Sequence, residues 1–272
     1  MEFRTRVNIP TYNFSIEPLE EILFVGSCFA DSIGRRFEEE HFPVVVNPDG
    51  VMYNPVSVLH TIMRTNEKPR VVFLTLGTNH VYRLKETGEI VDNCQKRPQS
   101  LFQEEQLTVN QCIESLQQVV DILKSRRSDV QIVLTVSPIR YQKYGFHESQ
   151  LSKATLLLAV DELVARNGDH VAYFPAYEIV LDELRDYRFY QPDMIHPSVQ
   201  TVEYIWQQLV ESLFSSRAKQ FLNEWKPIKE ALGHRPFHPE SEAYQQFLEK
   251  AQQQERELLA RYQDNRQNET IK

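Results

Sequence analysis

The run Val-Val-Phe-Leu-Thr-Leu at positions 71–76 is apolar or β-branched throughout. A strand with one face in water alternates apolar and polar residues. A strand without alternation must be covered on both faces, as in a central strand of a parallel sheet packed between helices. Runs of similar character occur at residues 22–25, 44–46, 131–136 and 171–174. Helices are expected between them, over residues 30–40, 55–63, 108–124, 151–166 and 175–184, with a closing helix over 199–214. Pro55 and Pro175 suit first helical turns, where a missing N–H is harmless, and Thr108 suits an N-cap. Strands alternating with helices at this spacing need right-handed crossovers. The expected fold is therefore a three-layer α/β domain, with a mainly parallel sheet and helices on both faces. Residues 81–84 and 89–91 read as a surface hairpin.

At 272 residues, 41% hydrophobic and 25% charged, the chain can bury a sizeable core. A net charge of −8 and the lack of a Lys/Arg cluster argue against nucleic acid as a partner and favour a neutral substrate. The cysteines, Cys28, Cys94 and Cys112, have neither disulfide-framework nor zinc-type spacing. His41, His60, His170, His234 and His238 are not spaced for a metal either, so no metal is expected. No Gly-x-Gly-x-x-Gly follows the first strand, and no cofactor is expected. No segment approaches the roughly 20 apolar residues of a membrane helix, and the charged N-terminus has no apolar run behind it. A cytoplasmic, membrane-free protein is the simplest expectation. After about residue 217 the composition turns to Gln, Glu, Lys and Arg. This divides the chain into a domain at 1–216 and a polar helical extension at 217–272, with a helix over 240–262. Phe247, Leu248, Leu258, Leu259 and Tyr262 form a stripe there that can dock on the domain or, as a homo-oligomer contact, on another subunit.

Parallel sheets bind ligands at the carboxyl ends of their strands, and chemistry-bearing residues cluster there. Gly26-Ser27-Cys28 follows the first strand and enters a helix, whose N-terminus favours developing negative charge. Gly77-Thr78-Asn79-His80 follows the third strand, where an amide can donate to an oxyanion, and the turn at Gly50 offers a backbone N–H. Asp193-Met194-Ile195-His196 sets a carboxylate three residues before an imidazole, so that the acid can orient the ring for proton transfer. Ser137, Arg140, Tyr141 and His147 lie in a loop expected to border the same cleft. The neighbouring segment Tyr187-Arg188-Phe189-Tyr190 can hold the Asp193/His196 loop by packing.

The order of nucleophile, Asn and Asp-x-x-His resembles the SGNH, or GDSL, hydrolase superfamily. Within it, Gly26-Ser27-Cys28-Phe29-Ala30 is similar to the signature that names the GSCFA family. So are Tyr53-Asn54-Pro55, Thr75-Leu76-Gly77-Thr78, Thr135-Val136-Ser137-Pro138, Leu151-Ser152-Lys153-Ala154 and residues 185–190. The resemblance spans roughly residues 20–215. It implies His196 as general base, Asp193 as its orienting acid, and Asn79 with the Gly50 N–H as oxyanion donors. The nucleophile departs from the superfamily pattern: an ungapped match puts Cys28 at the catalytic serine position, and a one-residue shift puts Ser27 there. A thiol needs less activation than a hydroxyl, which favours Cys28, with Ser27 as the alternative. His80, Arg140 and Tyr141 are then candidates for substrate contact. The implied activity is hydrolysis of an acyl ester, on a small O-acylated molecule or carbohydrate, through a covalent acyl-enzyme. The alternatives are acyl transfer at the same site and a non-catalytic glycan-binding protein.

Overall fold

The computed structural model describes residues 4–270. In chain order its elements are β1 (Ile22–Gly26), α1 (Cys28–Glu39), β2 (Val44–Val46), α2 (Pro55–Arg64), β3 (Val71–Leu76), β4 (His80–Leu84), β5 (Ile90–Val91), β6 (Phe102–Gln106), α3 (Val109–Arg126), β7 (Gln131–Val136), α4 (Phe146–Asn167), β8 (Val171–Tyr173), α5 (Ala176–Glu178), α6 (Val199–Leu213), α7 (Ser216–Leu232) and α8 (Glu242–Thr270). β1, β2, β3, β7 and β8 form one sheet in the order β2-β1-β3-β7-β8, with every pairing parallel. β3 lies at its centre, as its unbroken apolar run requires.

Side chains alternate across the sheet and build two cores. Ile22, Phe24, Phe73 and Val133 point to the face covered by α1, α6 and α7. Leu23, Val25, Leu74 and Leu134 point to the face covered by α2, α3 and α4. The first core is aromatic: Phe24 stacks on Phe73 at 4.7 Å, and Phe37 of α1 meets Trp206 of α6 edge-on at 4.9 Å. Asn54 caps α2 through Ser57 N–H, and Thr108 and Gln111 cap α3 reciprocally. The sheet is therefore a rigid platform whose strand ends are held from both sides.

Three elements differ from the sequence reading. β6 pairs antiparallel with β4 beside the hairpin partner β5, making a second, three-stranded sheet. Its sequence, Phe-Gln-Glu-Glu-Gln, is too polar to signal a strand, and only Phe102 of it is buried. α4 begins at Phe146 rather than 151, because Gly145 at a φ of +78° starts the helix without a side-chain cap. α7 carries Pro227 within it, which hides a helical pattern, yet Phe221 and Trp225 are buried in the aromatic core. Trp225 Nε1 donates to the Glu39 carbonyl at 3.2 Å, and Lys229 pairs with Glu40 at 2.8 Å.

The apolar stripe of α8 is used within the chain. Ala251, Leu258 and Tyr262 are buried, Tyr262 packs edge-on against Phe221 at 5.0 Å, and Phe247 is left exposed. Among the described residues no helix is long and apolar enough to cross a membrane. Because Leu258 completes the same core as Phe37 and Phe221, Leu258→Ala is expected to destabilise the whole chain by about 2–4 kcal/mol. This would appear as a lower urea midpoint in one transition. A first transition confined to α8 would show instead that the helix is energetically separate.

Candidate active site

β1 ends against the Thr75 backbone of β3. Gly26 pairs with Thr75, and a Cβ on Gly26 would stand 2.1 Å from the Thr75 carbonyl oxygen, at a φ of +147°. Only glycine fits. The next N–H, of Ser27, donates to the carbonyl oxygen and to Oγ1 of Thr75, at 3.0 and 2.9 Å. Ser27 is fully buried; its hydroxyl caps α1 by accepting from Phe29 N–H and lies 3.1 Å from Thr75 Oγ1. Cys28, the first residue of α1, is half-buried, with its Sγ 3.4 Å from the Tyr53 hydroxyl. Burial, and then the bond and charge of Cys28, push the Tyr53 phenol well above its ordinary value. Asn47 ties the neighbouring turn to this corner, accepting from Gly26 N–H at 2.8 Å and donating to Asp31 at 2.6 Å.

The ends of β3 and β7 are held from α4. Ser149, Ser152, Lys153, Leu156, Ala159, Val160 and Leu163 form its buried face. Lys153, 2% exposed, donates to the carbonyls of Gly77 and Ser137 at 2.6 and 2.7 Å, so one ammonium joins the two strand ends. The Tyr141 ring lies 5.1 Å from the same nitrogen. Ser152 Oγ accepts from Asn79 N–H at 2.9 Å, and Ser149 Oγ accepts from Tyr141 N–H at 3.3 Å. The Gly77 and Thr78 N–H groups both donate to the Tyr53 carbonyl, at 2.8 and 2.9 Å. Tyr53, Gly77 and Tyr141 are thus one connected layer beside Cys28.

Asp193 and His196 come together in the loop before α6. Asp193 Oδ2 lies 2.7 Å from His196 Nδ1, and its Oδ1 accepts the N–H groups of Ile195 and His196 at 2.8 and 3.0 Å. The His196 ring, then these two backbone donors, hold the Asp193 carboxyl at about 2, so it remains ionised at neutral pH. Met194, at a φ of +56°, makes the turn that allows both bonds. Arg140 anchors the loop: its N–H donates to the Ile195 carbonyl at 3.1 Å and its guanidinium to the Met194 carbonyl at 2.8 Å. The rings of Phe146, Tyr187 and Tyr190 surround that guanidinium within 5.5 Å. The loop is therefore fastened one residue before Tyr141, at the same sheet end as Cys28. No hydrogen bond joins the thiol to His196 among the described residues; the thiol's partner is Tyr53.

Several expected site residues are engaged otherwise. Gly50 N–H closes a turn onto the Asn47 carbonyl at 2.8 Å, and the residue is exposed. Asn79 is 3% exposed and its amide donates to the Leu107 carbonyl at 2.7 Å. The Gly50 N–H is thus committed to a turn, and one of the two N–H groups of the buried Asn79 amide is committed to a strand connection. His80, expected at the substrate, is 6% exposed on β4, bonded to Glu104 at 2.9 Å and stacked on Tyr144 at 3.8 Å. Arg140 holds the Asp193/His196 loop, and of the three residues expected at the substrate Tyr141 is the one beside Cys28. Tyr53 and Lys153 carried no chemical reading in the sequence. Lys153 had a visible signal: a lysine at the i, i+3, i+7 spacing of an apolar helix face must find buried partners. No cluster of three or more His, Cys, Asp or Glu is placed to hold a metal among the described residues. A cavity of about 1020 Å³ beside Arg4–Arg6 and residues 182–189 includes neither Cys28 nor His196.

Burial pushes the Lys153 ammonium from the ordinary 10.5 down to about 7. Between those values the unfolded chain holds a proton that the native chain has released, so native stability rises with pH across that window. Urea midpoints measured from pH 6.5 to 10 should show this rise, and Lys153→Met should lack it. Equal slopes in the two proteins would refute the assignment.

The GSCFA family model matches residues 21–71 and 64–209, and the model described as "GSCFA domain protein, C-terminal domain" matches residues 225–272. No curated protein matches the chain. Among solved structures, a putative platelet activating factor from Streptococcus pneumonia is similar at a TM-score of 0.51 and 18% identity, covering 73% of this chain and 85% of that one. A catalytic mutant of an acetylxylan esterase from Geobacillus stearothermophilus gives 0.48 and 14%, covering 74% and 98%. A carbohydrate esterase family 3 protein from Talaromyces cellulolyticus gives 0.44 and 12%, covering 75% and 98%. At 18% identity, what the first of these shares with this chain is the fold.

Proposed function

The chain belongs to the GSCFA family, and from that premise we propose that it is an acyl-ester hydrolase with Cys28 as nucleophile, His196 as general base and Asp193 as the acid that orients it. One observation carries the reading: of the two adjacent candidates, Ser27 is fully buried in cap and strand contacts, while Cys28 emerges half-exposed at the start of α1. A nucleophile must reach its substrate, and the lesser burial of Cys28 favours the thiol.

The chemistry follows from the hydrogen bonds. Ionised Asp193 accepts the Nδ1–H of His196, which leaves Nε2 as the ring nitrogen able to take a proton. His196 removes the thiol proton, and Cys28 sulfur attacks the acyl carbonyl. The tetrahedral intermediate collapses, the ester C–O bond breaks, and His196 returns the proton to the departing alcohol. Water then cleaves the thioester by the same route, His196 acting again as base. Apo geometry in which nucleophile and base are not yet bonded is common and tightens when substrate binds. The resemblance to SGNH hydrolases supports a small O-acylated molecule or carbohydrate as substrate. Another hydroxyl in place of water would make the same site an acyltransferase.

The test is intact-mass detection of an acetyl adduct from an activated acetyl ester. The native protein and Ser27→Ala are expected to carry the adduct, if Ser27→Ala retains its fold. Cys28→Ala should carry none, and His196→Ala should form it more slowly by about 10²–10⁴-fold. An adduct that persists in Cys28→Ala would overturn the nucleophile. No adduct on the folded native protein would favour a glycan-binding protein on this fold.

A further inference from the structure

We propose that the Tyr141 hydroxyl is the oxyanion donor of this site, bonding the carbonyl oxygen of the substrate as Cys28 attacks it. This inference rests on the acyl-enzyme reading and adds to it a catalytic residue.

Attack on an ester moves the carbonyl π electrons onto oxygen, and that charge needs a donor already in place. Of the two donors expected from sequence, the Gly50 N–H is bonded to the Asn47 carbonyl, and the Asn79 amide is buried with one of its two N–H groups on the Leu107 carbonyl. The Gly77 and Thr78 N–H groups are bonded to the Tyr53 carbonyl, and the Tyr53 hydroxyl is bonded to the thiol itself. The Tyr141 hydroxyl differs from all of these: it is buried and has no hydrogen-bond partner among the described residues. Leaving such a group unpaired is costly, and at a strand-end site a ligand that completes the bond removes that cost.

Its position fits the role. The Tyr141 hydroxyl lies directly over Gly77, where a Cβ would come within 2.3 Å of it, so the absent side chain of Gly77 is what makes room. The ring meets Tyr53 edge-on at 5.9 Å, and Tyr53 contacts the Cys28 sulfur at 3.4 Å. Tyr141 is also preorganised, with its backbone N–H on Ser149 and its ring against the Lys153 nitrogen at 5.1 Å. Burial, with the nearby Tyr53 and Cys28 groups adding to it, raises the phenol well above its ordinary value, so the group remains a protonated donor. Tyr141 transfers no proton: it donates a hydrogen bond while the S–C bond forms, and the bond weakens again when the carbonyl is restored and the alcohol departs with the proton from His196.

Two reactions at the same sulfur separate this role from packing. Acetylation by 4-nitrophenyl acetate passes through an oxyanion, whereas alkylation by iodoacetamide displaces iodide without one. In the full chain, Tyr141→Phe is expected to slow acetylation on the order of 10²-fold while leaving the alkylation rate unchanged. A fluorinated tyrosine at 141, which keeps the hydroxyl, should retain acetylation. Equal loss of both rates, or no loss of acetylation, would overturn the assignment. Native protein that is alkylated at Cys28 but never acetylated would overturn the acyl-enzyme reading first, and this inference with it.

Discussion

The contact of Gly26 with Thr75 determines how the rest of the site is arranged. With no side chain between them, the β1 and β3 backbones stay close enough for Ser27 N–H to bond both the carbonyl and the hydroxyl of Thr75. That draws Ser27 inward, turns its hydroxyl into the cap of α1, and leaves Cys28, half-buried, as the first residue of the helix. A larger residue at position 26 would collide with the Thr75 backbone, so the position of Ser27 and Cys28 rests on this glycine.

The second organising element is the polar strip on the buried face of α4. Ser149, Ser152 and Lys153 each bond a backbone group of the strand-end loops, on residues 141, 79, and 77 with 137 respectively. Buried polar groups are favourable only when their partners are in place. Each of these contacts thus specifies a loop position as well as stabilising it. Arg140 does the same for the Asp193/His196 loop, where its cation is shared between two carbonyl contacts and three aromatic rings. Precise placement, which catalysis demands, comes here from cations held among carbonyls and rings.

The fold was legible in residues whose burial leaves a pattern. The continuous apolar run of β3 announced a strand covered on both faces, and the Pro and Thr residues at 55 and 108 announced helix starts. The Asp193/His196 pair was legible because its three-residue spacing is local and one turn closes it. β6 was not legible: only Phe102 of its five residues is buried, and pairing with β4 is what orders it. α7 was hidden by Pro227, although its Phe221 and Trp225 complete the aromatic core.

The sequence by itself determined a parallel α/β sheet and the strand ends at which chemistry collects, because periodicity and turn residues act over a few neighbours. It also named Ser27, Cys28, Asp193 and His196, since each follows a recognisable break in the chain. Only the tertiary structure decided that Ser27 is fully buried and Cys28 half-buried, that Asn79 donates inside the protein, and that the Tyr141 hydroxyl has no partner among the described residues. The Ser27 and Asn79 contacts are hydrogen bonds between residues tens of positions apart. A donor's availability is set by whichever acceptor the fold brings within 3 Å, and spacing along the chain does not encode that.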